Sequence, residues 1–260
     1  MYTIYISTFG KKVLRVPNGV PIEVGALNRK NFVYDLHDDT GENISSLNEY
    51  YGELSGLYWV WKNVKIDDGD IIGFCHYNKC LNISKKKAKK WLKKEPQGFI
   101  ALNPIYAKRH DAKDEIEAIE RVLSSNIDDY RSWELLYDEN GISKYRNCYS
   151  CNMFITTGKS FDQFCTWLFN ILMNLRTIVG DKPEVEPNLR RYCAFIGERL
   201  LSVYVKSRGI PVYCVDKRIK EWWLPIFYPI VRAIGMNRDS RFYHLLSKKF
   251  GSSSSYRLVL

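Results

Sequence analysis

A chain of 260 residues, 45% hydrophobic and 26% charged, holds enough material for one α/β domain with a full core or two small ones. That composition excludes collagen-like, low-complexity and disordered classes. The formal charge of +10 suggests nucleic acid only until it is located: residues 79–94 hold eight Lys and no acid, residues 216–250 hold eight Lys or Arg against three acids, and the remainder is slightly acidic. Basic charge confined to two patches suits an anionic surface at least as well as a duplex.

In chain order, Tyr2–Phe9 alternates and is β-branched, predicting a first strand, and Pro21–Val24 predicts a short second one. Residues Asp38–Ser45 are dense in turn formers and predict a loop. A helix follows from about Leu47 to Asn63, with Leu54, Leu57, Tyr58 and Trp61 on one face and Glu49 and Glu53 towards its start. Asp70–Cys75 is a short apolar run with the look of a buried central strand, leading directly into His76-Tyr77-Asn78-Lys79. Ser84–Lys94 predicts a Lys-rich helix, Gly98–Leu102 a strand, and Asp111 an N-cap for a helix bearing Asp114, Glu115 and Glu117. Cys151–Thr157 reads as a strand, and Phe161 to Leu175 keep helical spacing up to Gly180. Asn188–Arg208 predicts an amphipathic helix closed by Gly209, and Ile210–Val215 a final strand.

Strands alternating with helices predict a three-layer α/β sandwich with a mostly parallel central sheet. Ligands in such sheets bind beyond the carboxyl ends of the strands, which directs attention to the loops after Phe9, Val24, Cys75 and Thr157. The simplest partition is a domain over 1–215 with a basic, aromatic, helical appendage over 216–260. Within the appendage, Trp222–Met236 is apolar apart from Arg232, holds Pro225 and Pro229 and is flanked by basic residues. It is too short to span a bilayer and has the makings of an interfacial anchor, or of a segment packed on the main domain. Seven Cys without a leader-like start predict reduced thiols in a cytoplasmic protein. The 18 Tyr and 7 Trp fit either a Tyr-rich core or a cleft in which rings stack on sugar or base.

The step at Asp70–Lys79 is the most informative for chemistry. Sugar-nucleotide transferases of the GT-A type end a central strand with Asp-x-Asp, whose carboxylates hold a divalent ion on the donor diphosphate. Here the equivalent-looking place carries His76, Tyr77 and Lys79. Fixed cationic donors stabilise a leaving diphosphate without a metal, so His76 and Lys79 are expected to face it and no metal cofactor is expected. The competing reading makes His76 a satisfied histidine and Lys79 the start of the Lys-rich face. Cys148-x-x-Cys151 with Cys75, His76 and Cys80 offers a zinc set on paper, against which Cys151 reads as the start of a buried strand.

The strings DDTGENIS at 38–45, YYGELSGLYWVWKN at 50–63, DIIGFCHYNK at 70–79, NMFI at 152–155, Trp-Leu-Phe at 167–169 and GERLLSVYV at 197–205 follow one another along the chain. In that order, over roughly residues 2–215, they resemble a family long filed as a domain of unknown function and found in capsule, exopolysaccharide and O-antigen loci. Some of its members are galactofuranosyltransferases. The resemblance implies a bacterial glycosyltransferase with a GT-A-like fold, a UDP-sugar donor and a polysaccharide or lipid-linked oligosaccharide acceptor. With the two basic patches and the cysteine usage, the expectation is work at the cytoplasmic face of the plasma membrane, against an anionic membrane surface, with no nucleic-acid partner. The family's string His-Tyr-Arg-Arg reads His76-Tyr77-Asn78-Lys79 here, losing the bidentate fork that Arg offers phosphate.

Carried over by position, Asp39, Asn43, Glu53, His76, Glu198 and Arg199 are expected near the site. An inverting transfer needs a carboxylate to accept the acceptor's proton, and Glu53 and Asp39 are the candidates. Thr8, Asn43, His76, Tyr77, Lys79, Glu198 and Arg199 are the expected donor contacts. Alternatives stand beside each: Glu53 as a helix-surface carboxylate, Asp39 as a turn former, and Glu198-Arg199 as a structural ion pair. His110 with Asp111 and Asp114 either joins the site or starts a helix. The competing class is a non-catalytic, basic nucleic-acid- or membrane-binding protein, or a family member that kept the fold and lost catalysis.

Overall fold

A computed structural model describes residues 1–108, 111–138, 141–187 and 189–219, except for the side chains of 107–108 and 142–144. Contacts divide the chain into Met1–Arg218 and Ile219–Leu260. The Trp222–Met236 segment and His110 lie outside the described residues.

The elements run β1 (Tyr2–Thr8), β2 (Gly19–Glu23), α1 (Asn48–Tyr51), α2 (Leu54–Asn63), β3 (Ile71–His76), β4 (Lys79–Leu81), α3 (Lys85–Lys94), β5 (Phe99–Leu102) and β6 (Ile105–Lys108). They continue as α4 (Lys113–Leu123), α5 (Ile127–Glu134), β7 (Ile142–Cys148), β8 (Phe154–Thr157), α6 (Gly158–Val179), α7 (Tyr192–Ser207), β9 (Val212–Val215) and β10 (Lys217–Ile219). The central sheet reads β2-β1-β3-β8-β5-β9, with β4 and then β10 continuing from β3. β1, β2, β3, β5 and β9 point one way and β8 runs against them, so the sheet is mostly parallel, as expected.

Alternation along the strands feeds two cores. Ile72 and Phe74 of β3, with Tyr5, Phe99 and Phe154, face the buried sides of α2, α6 and α7. Cys75, with Ile4, Ile100 and Ile155, faces Ala88 and Leu92 of α3. Helices thus cover both faces, giving three layers.

α3 owes its helix to Ser84, which caps Lys87 N–H, and to the burial of Ala88 and Leu92. Its charges work the other way. Four Lys–Lys pairs lie one turn apart, each costing about 0.2–0.5 kcal/mol in an isolated helix. α6 follows the expected spacing, with Phe161, Phe164, Leu168, Leu172 and Leu175 buried, capped by Thr157 and ended at Gly180.

The structure departs from the sequence reading in four places. The helix expected over Leu47–Asn63 is broken at Gly52 (φ 53°, ψ −130°), so Glu53 sits at the start of α2 and not on a helix surface. A side chain at that positive φ would be strained, which is why the break falls on glycine. Cys151 and Asn152, expected to begin a strand, form a left-handed turn (φ 76° and 48°) ahead of β8. Because β8 is antiparallel, the loop after Thr157 lies at the far end of the sheet. The loop before β8, which the parallel rule did not select, lies at the end of the sheet where β3 and β5 have their carboxyl ends. β4, the β6–β7 hairpin, α5 and β10 are additions to the expected elements.

Candidate functional site

His76 is the last residue of β3 and falls on the same face as Ile72 and Phe74, towards α2 and α7. Its Nε2 lies 2.5 Å from the Cys151 carbonyl and 4.0 Å from Glu53 Oε1. A carbonyl only accepts, so Nε2 carries the proton. Burial, and after it the Lys79 charge, pull the His76 pKa down to about 4, overriding the nearby Glu53 carboxylate. The ring is therefore neutral near pH 7, and the positive charge expected of it is absent there.

Glu53 is buried, and its Oε1 accepts a 2.7 Å hydrogen bond from Asn152 Nδ2. Asn152 also donates to the Ala194 carbonyl at 3.4 Å, tying the turn before β8 to α7. α7 passes this close because of Gly197, where a Cβ would stand 2.7 Å from Leu54 Cδ1. One residue on, the Glu198 carboxylate accepts from Cys151 N–H; burial and then the Glu53 charge raise its pKa, with Lys79 working against them. Lys79 Nζ lies 3.1 Å from Cys151 Sγ. Burial opposes the Lys79 charge, but Cys151 and the carboxylates of Glu198 and Glu53 outweigh it and hold its pKa above the usual value.

Arg191, the residue before α7, completes the group: its charge reaches His76 and its guanidinium lies 5.4 Å from the Phe195 ring. Its Nε is buried without a hydrogen-bond partner among the described residues. Two carboxylates, two cations, a neutral imidazole and an amide thus meet at the carboxyl end of β3.

The other expected residues lie in separate settings. Thr8 Oγ1 donates to Lys11 O and accepts from Lys11 N, shaping the turn after β1, and Lys11 Nζ lies 5.5 Å from the Tyr77 ring. Asp39 Oδ1 is 2.8 Å from His37 Nδ1, whose ring stacks on Phe32. Asn43 closes its own loop, donating to Gly41 O and accepting from Ser45 N. Arg199 points away from the cluster: it binds both oxygens of Asp111 at 2.5 and 2.7 Å and the Tyr137 hydroxyl at 3.0 Å. The ion pair suspected at Glu198-Arg199 is thus Asp111–Arg199, which clamps α7 to the segment ahead of α4, while Asp114 binds Lys182.

Among the described residues no group of three His, Cys, Asp or Glu gathers to hold a metal ion, so Cys148, Cys151, Cys75, His76 and Cys80 form no such set. Sequence reading missed Arg191, Asn152 and Cys151 as members of the group. The Arg190-Arg191 pair ahead of α7 was the one available signal.

A family model described as a domain of unknown function, DUF4422, matches residues 3–102 and 92–209. No curated protein matches the chain. Among solved structures, one described as the WbbM bifunctional glycosyltransferase in its apo form matches with a TM-score of 0.67 and 22% identity. The match covers 84% of this chain and 45% of that one, so the chain spans less than half of that protein's length. At that identity the likeness is one of fold, and it agrees with the α/β architecture expected from the sequence.

Proposed function

The chain belongs to the DUF4422 family, and from that premise we propose that it is a glycosyltransferase moving a sugar from a UDP-sugar to a polysaccharide or lipid-linked oligosaccharide. The observation that carries this reading is the group at the carboxyl end of β3, where a donor diphosphate binds in a GT-A-like fold. Lys79 supplies positive charge to Glu53 and Glu198, and Arg191 to His76, in a largely buried cluster. The shared fold with a protein described as a bifunctional glycosyltransferase supports it.

In the proposed reaction the acceptor hydroxyl attacks the anomeric carbon from the face opposite the diphosphate, inverting that centre. Glu53 takes the hydroxyl proton, held in place by Asn152. The bond to the diphosphate breaks, and Arg191 and Lys79 stabilise the charge that leaves with it, in place of a metal ion. Neutral His76 fixes the turn at Cys151 through its Nε2–H and so sets the distance between β3 and α7. Asp39, held by His37, is the second candidate for the base. Galactofuranose as the transferred sugar is an expectation from the family resemblance, as is a bacterial surface glycan as the product, made at the cytoplasmic face of the membrane.

The test is a thermal-shift panel of UDP, UDP-sugars and other nucleotide sugars, run in EDTA and again with Mn²⁺. A ligand at about 100 times its dissociation constant adds about 2.7 kcal/mol of stability. A raised melting point with a UDP-sugar in EDTA, lost in Arg191→Ala, is the expected result. A shift that appears only with Mn²⁺ keeps the transferase and overturns the metal-free reading; no shift with any nucleotide sugar overturns both.

A further inference from the structure

α3 carries seven lysines in ten residues, and all seven side chains are exposed. Its anchoring residues, Ala88, Leu92 and half-buried Trp91, lie on one side, so at 100° per residue Lys86, Lys90 and Lys93 form the outward stripe, flanked by Lys89 and Lys94. Lys85 turns aside to Asn18 and the Tyr2 ring, and Lys87 to the Tyr213 ring. Among the described residues none of the seven forms an ion pair with a carboxylate. Cations elsewhere in the described residues do: Arg199 with Asp111, Lys182 with Glu115, Arg29 with Glu23.

The arrangement runs against helix stability in two ways. Lys85, Lys86 and Lys87 stand at the N-terminus, where the helix dipole disfavours positive charge, and four Lys–Lys pairs repel one turn apart. The positive field also extends past the helix. An open cleft of about 610 Å³ beside it is lined by Lys89, Lys93 and Lys159 against a single acid, Asp68; the Met1 ammonium that also lines it is paired with Asp70.

We propose that the outer face of α3, extended by Lys159, docks the protein on an anionic lipid bilayer. The helix presents a row about 10 Å long of flexible ammonium groups, from Lys86 to Lys93, free of ion-pair partners among the described residues and backed by a rigid sheet. Ammonium groups on long stems suit a fluid plane of phosphate headgroups, since they need no fixed register. A nucleic-acid site of the kind that reads bases would need rings among the charges; the one ring on this helix, Trp91, is packed against Gly98 and Tyr213. The inference stands on α3 alone and is independent of the transferase reading.

The experiment is cosedimentation of the full chain with vesicles of equal parts phosphatidylglycerol and phosphatidylcholine, and with vesicles of phosphatidylcholine only. The variant is Lys86→Gln/Lys90→Gln/Lys93→Gln, which keeps a helix-forming residue at each exposed position. The control, Lys30→Gln/Lys65→Gln/Lys206→Gln, removes the same charge from exposed positions elsewhere. Expected is binding to the anionic vesicles alone, weakened about 100-fold in the α3 variant and little changed in the control. Equal losses in both variants, or none in the α3 variant, overturn the proposal. So does a single-stranded oligonucleotide that binds more tightly than the vesicles in the same buffer and loses that binding in the α3 variant. An unchanged thermal shift with UDP-sugar in the α3 variant separates loss of docking from loss of the donor site.

Discussion

Asp38 and Glu53 are both buried carboxylates, and the fold treats them in opposite ways. Asp38 receives four donors: Gly25 N–H and Ser55 Oγ–H on one oxygen, Ala26 N–H and Ser45 Oγ–H on the other, all within 3.0 Å. Its capacity is spent on holding the loop after β2 against α2. Among the described residues Glu53 has one hydrogen-bond donor, Asn152, and it lies near a second carboxylate, Glu198, whose pKa its charge helps to raise. A carboxylate satisfied by its own fold has nothing left for a substrate, whereas one left in partial conflict has its partner supplied by a ligand. The same contrast divides the arginines. The terminal nitrogens of Arg199 are spent on Asp111 and Tyr137, whereas among the described residues the Arg191 side chain makes no hydrogen bond or ion pair; the Nε of both is buried without a partner.

The comparison breaks most visibly at Arg199. Arg199→Ala leaves Asp111 buried without its cation and should cost about 3–5 kcal/mol of stability, read as a lower urea midpoint. The folded fraction should still respond to a UDP-sugar. Loss of that response in still-folded protein would move Arg199 into the donor site.

Glu53→Gln should show the reverse pattern. The amide oxygen still accepts from Asn152, so stability should change by no more than about 1 kcal/mol. Transfer should fall by about 10²–10⁴-fold, the range for loss of a general base, with donor binding kept. If Asp39→Asn produces that loss and Glu53→Gln does not, the base is Asp39.

The finest test is pH. With its folded pKa near 4 against an ordinary 6.5, His76 contributes stability above about 6.5 that is lost as the pH falls towards 4. Glu198 has the opposite sign: its raised pKa makes its contribution greatest at low pH and lost as the pH rises. The two partly cancel in the wild type, so the informative measurement is the difference between wild type and His76→Gln, whose amide still donates to the Cys151 carbonyl. The variant should lose less stability between pH 6.5 and 4 than the wild type. Equal losses would mean that His76 is not held neutral by its surroundings.

Much of the fold was legible because its signals are local. The apolar run at β3, the spacing of Phe161 to Leu175 in α6 and the Lys-rich run of α3 each report their own element. The site was legible in part: Glu53, His76, Lys79 and Glu198 were expected near it and do come together. Arg199 was carried along by its neighbour Glu198. Adjacent residues on a helix point about 100° apart, so one reaches the cluster while the other crosses to Asp111.

The sequence by itself determined the order of elements, their buried faces and the absence of an Asp-x-Asp pair after β3, because periodicity and composition are properties of short stretches. Tertiary structure decided the direction of β8, which puts the Cys151–Asn152 turn, and not the loop after Thr157, at the carboxyl ends of β3 and β5. It also decided which carboxylates are spent and which ring is neutral. Those depend on partners far along the chain, Glu53 with Asn152 and His76 with Cys151, and on the loss of water where these segments meet.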